Sequence, residues 1–426
     1  MDASSPRIIQ RSDHNISRSH ISENALKVLY RLKNAGYQAY LVGGGVRDLL
    51  LGLKPKDFDV STDARPEDVR KLFRNCRLIG RRFRLAHVHF GSEIIEVATF
   101  RGDAQQDEVE EDERQIVNGM IVRDNVYGTL EEDAWRRDFT VNSLYYDIKD
   151  FSLVDYVGGL EDLKSRQLRL IGDPEQRYRE DPVRMLRAVR FASKLDFKLE
   201  EKTETPISTL SDLLDSVPPA RLFEEVLKLF LSGSGASTFS LLRQYGLLER
   251  LFFQTEESIK LDTQGVFYKL INIALKNTDD RIKEGKPVTP AFTLATLLWV
   301  PLCNLRERYL ERGMTAHQAM TEASDVVIAT QSRHVAVPRR LQTPIREIWQ
   351  LQDRLEKRAP KRSLRLVNHP RFRAAYDFLL LRAEAGEVES VLAEWWTDLY
   401  NAEEKERGKL VDTLKRRRKR RKPKRD

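Results

Sequence analysis

Cysteine is scarce in this 426-residue chain, which has only Cys76 and Cys303. Two are too few for a disulfide framework and fit a reducing, cytoplasmic setting. Long hydrophobic runs are missing as well. The longest, Phe292 to Leu302, is broken by threonines and Pro301, short of the roughly 18 apolar residues a membrane span needs. The opening Met1-Asp2-Ala3-Ser4-Ser5-Pro6 has no apolar h-region, so a secretory signal is not expected. None of the seven histidines precedes an aspartate, which argues against a histidine–aspartate metal phosphohydrolase. His87 and His89 share a strand face but lack a Cys or third His to complete a zinc site. No internal repeat recurs at a fixed period. With 41% hydrophobic and 32% charged residues, the chain reads as globular and multidomain rather than disordered.

Net charge is +8, but it is concentrated at one end. Ten of the eleven residues from Lys415 to Arg425 are Lys or Arg, so the last twelve carry +9 and residues 1–414 sum to −1. Such a run cannot bury apolar surface and is expected to be disordered. As an arm for RNA, with all ten charges on single-stranded phosphates, it would lose about 10⁴ in binding between 50 and 200 mM salt. A localisation or solubility tail is the alternative. A DNA-binding regulator would rest on this tail alone, without a helix-turn-helix pattern, so no DNA partner is expected. Seven acids among the eleven residues Asp103–Glu113 suggest a solvated loop.

The periodicity predicts an α/β module followed by helices. Residues 1–20 are polar and expected to be loose. Ser22 to Gly36 reads as a capped helix with Ala25, Leu26, Leu29 and Leu32 on its stripe. Tyr40-Leu41-Val42 reads as a strand running into Gly43-Gly44-Gly45-Val46-Arg47-Asp48. Strands are expected over Phe58–Ser61, Leu85–Phe90 and Ile94–Thr99, and a helix over Pro66–Phe73. Beyond Tyr178 helical stripes dominate, such as Leu222, Val226, Leu229, Phe230 and Ile345, Ile348, Trp349. The expected class is α+β: an α/β head over 21–150, a helical neck over 151–260, a helical body over 261–405 and a disordered basic tail over 406–426.

Several constellations carry chemistry. Glycines at 43–45 would let backbone approach a phosphate, with Arg47 adding charge, or would simply make a tight turn. Asp57 and Asp59, two apart on a predicted strand, would share a face and hold Mg²⁺, or be exposed acids at a strand end. Glu96 in an apolar strand needs a partner; either it joins the aspartates or it pairs with Arg82 or Arg101. Arg136-Arg137 could clamp phosphates, with Asp138 and Asn142 suited to ribose hydroxyls. Asp181 and Pro182 suit the start of a helix that puts Arg184 and Arg187 on one face. The acid and an arginine could read a base edge there, or form surface ion pairs.

In this order, Gly43–Asp48, Asp57-Phe58-Asp59, Arg137-Asp138-Phe139, Glu180-Asp181 and Arg184 resemble the class II nucleotidyltransferases, which include tRNA CCA-adding enzymes and bacterial poly(A) polymerases. The stretch Leu78-Ile79-Gly80-Arg81-Arg82-Phe83-Arg84-Leu85-Ala86-His87-Val88 looks like the poly(A) polymerase signature. Pro370–Asp377 and the basic tail are similar to that branch too. The resemblance implies a nucleotidyltransferase head, two Mg²⁺ held by Asp57 and Asp59, and Glu96 and Asp138 in the active centre. It implies Gly43, Gly44 and Arg47 facing the triphosphate, Arg137, Asp138 and Asn142 the phosphate and ribose, and Asp181 and Arg184 the base, with Arg187 also among the nucleotide-binding residues. The implied reaction is template-independent addition of AMP from ATP to RNA 3′ ends. The RNA would be single-stranded and read with little sequence preference. Candidate partners include RNA-decay proteins or an RNA chaperone, and a monomer is expected. The alternatives are a CCA-adding enzyme on the same fold or a non-catalytic RNA-binding protein.

Overall fold

The computed structural model describes residues 5–80, 84–102, 114–117, 120–124 and 126–411. Arg81-Arg82-Phe83 of the branch signature, the acidic segment 103–113 and the basic run 415–426 lie outside the described residues. The chain divides into two compact units, Met1–Leu210 and Ser211–Asp426.

The first unit is built on a mixed sheet. Its strands in chain order are β1 (Arg7–Ile9), β2 (Ala39–Val42), β3 (Asp59–Thr62), β4 (Cys76–Ile79), β5 (Leu85–Phe90) and β6 (Glu93–Thr99). A separate antiparallel ribbon, β7 (Arg114–Val117) and β8 (Met120–Asp124), precedes β9 (Leu144–Asp147) and β10 (Leu153–Asp155). The spatial order is β1-β10-β9-β2-β3-β6-β5-β4. Every pairing in it is antiparallel except β3 with β6, whose parallel register sets Asp59 opposite Glu96.

Local chemistry explains most of these elements. Helix α1 (Glu23–Asn34) starts where the Ser22 hydroxyl accepts from the Ala25 N–H at 3.1 Å, and it buries Ala25, Val28, Leu29 and Leu32. That one-sided stripe covers the sheet and closes a core with Leu41, Val60 and Val97. Helix α2 (Gly44–Leu50) follows β2 at once, and α3 (Pro66–Leu72) uses Pro66 in its first turn. Helix α4 (Leu130–Arg136) begins with a capping box between Thr129 and Glu132. Helices α5 (Gly159–Ser165), α6 (Pro174–Glu180), α7 (Val183–Leu195) and α8 (Glu201–Thr209) complete the unit.

Two expectations change here. Residues 7–20 are not a loose lead-in: β1 pairs with β10, and Ile9 and Ile16 are buried. An edge strand with one apolar anchor is held by nonlocal pairing that a short polar sequence does not advertise. The sheet also runs past residue 150, because the buried Leu153–Asp155 belongs to it.

The second unit is helical, as the stripes imply. Leu222, Val226, Leu229 and Phe230 all face inward from the helix Pro219–Phe230. Ile345, Ile348 and Trp349 do the same from Arg339–Lys357, and the buried Trp349 indole donates to the Ala295 carbonyl at 2.9 Å. The apolar run Phe292–Leu302 is core, split between the helices Pro290–Leu297 and Trp299–Glu311. Among the described residues no helix is long and apolar enough to cross a membrane.

Candidate active site

The site forms where the end of β2 and the start of β3 lie beside the middle of β6. Gly43 links β2 to α2 with φ 74°, a left-handed conformation that disfavours a side chain. A Cβ there would also lie 3.4 Å from Asp59 Oδ2 and 4.0 Å from Arg137 Nη1. The glycine thus keeps an open approach beside a carboxylate and a guanidinium.

Asp59 opens β3, while Asp57 sits just ahead of the strand rather than within it. The alternation survives, since Phe58 is buried between an exposed Asp57 and a half-buried Asp59. Burial, then Glu96, then Asp57 push the Asp59 carboxyl up to about 6 against the opposing pull of Arg137. The β3–β6 register thus sets Glu96 beside Asp59, with Asp57 two residues ahead of it in the chain.

Glu96 faces solvent from β6, so the premise that it lies in an apolar setting is corrected. Its near partner is His87 Nε2 at 3.3 Å, placed opposite by the β5–β6 register. Arg101 has its backbone N–H on Asp133 at 3.3 Å, and Arg82 is outside the described residues.

Asp133 is the residue that sequence reasoning missed. Only 6% exposed, it accepts from Ser61 Oγ at 3.2 Å, Tyr145 Oη at 2.8 Å, and Arg137 Nε and Nη2 at 3.2 and 3.0 Å. Arg137 also lies over the Tyr145 ring, 5.2 Å from its centroid. Buried charge on both sides needs this degree of pairing. One acid in the first turn of α4, among Glu131 and Glu132, it is marked in the sequence only by its four-residue spacing from Arg137.

A second network occupies the far side of Arg137. Arg47 is 2% exposed, its guanidinium held within the fold beside Gly44. Its Nε and Nη2 donate to Asp48 Oδ1 at 2.9 and 2.6 Å, and its Nη1 donates to Asn142 Oδ1 at 2.6 Å. Asn142 passes the connection to Asp138 Oδ1 at 3.3 Å, and Arg187 Nε donates to Asp138 Oδ2 at 2.7 Å. Burial alone would raise Asp138. The charge and hydrogen bond of Arg187, with the Phe139 N–H and Asn142, outweigh it and bring the carboxyl down to about 2. Arg47, Arg187 and Arg190 all lie over the Phe191 ring, at 5.3, 5.3 and 4.6 Å from its centroid. The Thr140–Asn142 turn is fixed by close packing, since a Cβ on Gly159 would stand 2.2 Å from the Thr140 carbonyl oxygen.

The start of α7 follows the sequence expectation with a one-residue shift. Asp181 Oδ1 accepts from the Val183 N–H at 3.3 Å. Arg184 Nη1 donates to Glu180 Oε2 at 3.0 Å and to the Arg177 carbonyl at 2.8 Å. Arg177, also unnoticed in the sequence, donates to the backbone carbonyls of Arg136 and Arg137 at 2.7 and 2.6 Å, tying the two motifs together.

Comparison with known proteins agrees with this geometry. Residues 39–169 match the poly A polymerase head domain, 196–259 the probable RNA and SrmB-binding site of polymerase A, and 312–426 the polymerase A arginine-rich C-terminus. Poly(A) polymerase I of Salmonella typhi is 52% identical over 96% of this chain and 88% of its own length. The CCA-adding enzyme of Lactobacillus helveticus is 37% identical over 61% of this chain and 65% of its own. A tRNA nucleotidyltransferase crystallised with a primer tRNA and an incoming ATP analog matches with TM-score 0.53 and 25% identity, covering 93% of this chain and all of that one. Fold and relatives together define an enzyme of the nucleotidyltransferase class. Within it, the chain belongs to the bacterial poly(A) polymerase I family, the branch that the Leu78–Val88 stretch resembles.

Proposed function

We propose that this enzyme adds AMP from ATP to single-stranded RNA 3′ ends, without a template and with release of pyrophosphate, a modification that promotes RNA turnover. One observation carries the reading: Asp57, Asp59 and Glu96 gather beside the Gly43 turn and Arg137 in a chain 52% identical to a poly(A) polymerase I.

Two Mg²⁺ fit this donor set. Asp59, lifted to about 6 by burial and neighbouring acids, is the kind of carboxylate a cation relieves. Among the described residues no group of three or more His, Cys, Asp or Glu makes a cage of its own. Asp57 and Asp59 would hold the ions jointly with the nucleotide's phosphates, as Mg²⁺ commonly requires. When bound, the ions lower the pKa of the RNA 3′-hydroxyl and stabilise charge on the leaving pyrophosphate.

The chain's residues do the positioning. Gly43 and Gly44 give the triphosphate close access to backbone, and Arg137, fixed by Asp133 and Tyr145, meets its charge. Arg47 braces Asn142, so that Asn142 and Asp138 are held for the ribose. Asp181 and Arg184 face the base, the acid accepting from an amino group and the arginine donating to ring acceptors. Arg187 steadies Asp138 at the edge of this set. The RNA 3′ oxygen bonds to the α-phosphorus in line, and the bridging oxygen departs with pyrophosphate. Catalysis is assigned to residues 21–150, nucleotide and RNA contacts to 151–260, and further RNA contacts to 261–405 and the tail.

The test is extension of a labelled RNA with Mg²⁺ and each nucleoside triphosphate separately. A tRNA lacking its last three nucleotides runs in parallel. A long ladder with ATP on generic RNA is expected. Three-nucleotide addition that needs CTP and ATP, confined to the tRNA, would make it a CCA-adding enzyme instead. Adding EDTA should abolish extension.

A further inference from the structure

We propose that a basic pocket within the Ser211–Asp426 unit is a separate RNA site that grips the phosphodiester backbone rather than the bases. The inference rests on RNA being the substrate. The pocket has a volume of about 830 Å³ and lies at residues 317–369, outside the 196–259 segment matched to the probable RNA and SrmB-binding site.

Three helices wall it: Ala316–His334, Arg339–Lys357 and Pro360–Val367. Arg354 and Lys357 are three residues apart on one helix, and Arg362 and Arg365 three apart on the next. Each pair therefore shares a helix face, with Cβ atoms roughly 5–6 Å apart. Arg358, between the helices, takes φ 41°, a conformation uncommon outside glycine. This corner turns the chain so that both pairs line one cavity.

All four cations are exposed, and among the described residues no carboxylate makes an ion pair with any of them. Asp353, the acid in the wall, is engaged by Arg306 at 2.9 Å. Like charges gathered without counter-charge repel, and a polyanion resolves that repulsion. Among the described residues the wall has no Phe, Tyr or Trp, and its aromatic rings are His317 and His369 alongside four cations, so recognition falls mainly on phosphates. A chain that grows by one nucleotide at a time suits such a grip, because every register of the backbone presents the same charge.

The experiment uses the full chain, a labelled oligoadenylate, EDTA and no ATP, with affinity measured across a salt series. R354Q/R365Q removes two phosphate contacts, so the slope of log K against log salt should become shallower by about 1.4. R354K/R365K should restore it. K27Q/K149Q, which removes two exposed lysines from the first unit, should leave it nearly unchanged. An unmoved slope in R354Q/R365Q, or an equal change in the lysine control, overturns the proposal. Displacement of RNA from the wild type, but not from R354Q/R365Q, by inorganic pyrophosphate would also overturn it, in favour of a small-phosphate site. The same proteins are assayed for AMP addition. Activity with an unmoved slope sinks the pocket alone, whereas a shifted slope without AMP addition sinks the polymerase reading and leaves the pocket standing.

Discussion

In the Met1–Leu210 unit, the arginines around the candidate site lean on acids: Arg137 on Asp133, Arg187 on Asp138, Arg184 on Glu180 and Arg47 on Asp48. In the Ser211–Asp426 unit, Arg354, Lys357, Arg362 and Arg365 line a pocket with no such partner among the described residues. A paired guanidinium is held to one geometry and suits a ligand that must sit in one pose, such as a reacting triphosphate. An unpaired cation keeps its rotamers and suits a ligand that slides.

That contrast can be broken, beginning with its largest consequence. Removing residues 415–426 deletes ten cations. If all meet phosphates, the roughly 10⁴-fold fall in RNA binding between 50 and 200 mM salt should disappear with them. Titrations across that range check this, and an unchanged slope would show the tail idle. Next, Asp57→Ala or Asp59→Ala should cut AMP addition by about 10³-fold while circular dichroism and unfolding stay close to wild type. A variant near the wild-type rate would remove both residues from the site.

Fixed arginines make a third, smaller prediction. Asp133→Ala leaves Arg137 without its buried counter-charge and should cost about 3–5 kcal/mol in urea unfolding of this unit. A loss under 1 kcal/mol, on the order of a surface pair, would mean Arg137 does not need it. The smallest effect concerns Asp138, held at about 2 against an ordinary 3.8. A carboxyl lowered in the folded state stabilises above its unfolded pKa, and that stability is lost as pH falls from about 4 toward 2. The difference is worth about 2 kcal/mol. Wild type should lose its margin over Asp138→Asn in that window, and a margin constant with pH would refute the pairing.

Much of the head could be read before any coordinates. Ser22 and Gly36 bracket α1, and the Gly43 turn sits between Val42 and α2 where its spacing implied, because these signals are local. The edges were less legible. β4 alternates half-buried and exposed residues at the rim of the sheet, so Cys76-Arg77-Leu78-Ile79 is too short and too little buried to show a clear alternation. β1 has one buried residue, and its pairing with Leu153–Asp155 spans nearly 150 positions. Within the candidate site, the sequence pointed to Asp57, Asp59 and Glu96 but not to what holds the arginines. Tyr145 and Arg177 act through contacts that the folded chain creates, whereas Asp133 stands four residues before Arg137; Arg47 pairs with its neighbour Asp48, but its bond to Asn142 spans 95 residues.

The single parallel pairing in the sheet, β3 beside β6, has a bearing on quality control. Asp59 and Glu96 meet only because that register is right. A slip by one position would turn one of the two to the opposite face, leaving a head with helices and strands intact but no cluster of acids. On the proposed reading of these acids, catalytic output is a sharper gauge of correct assembly than any measure of secondary structure. Mutations that loosen β6 should produce molecules that look folded and do nothing.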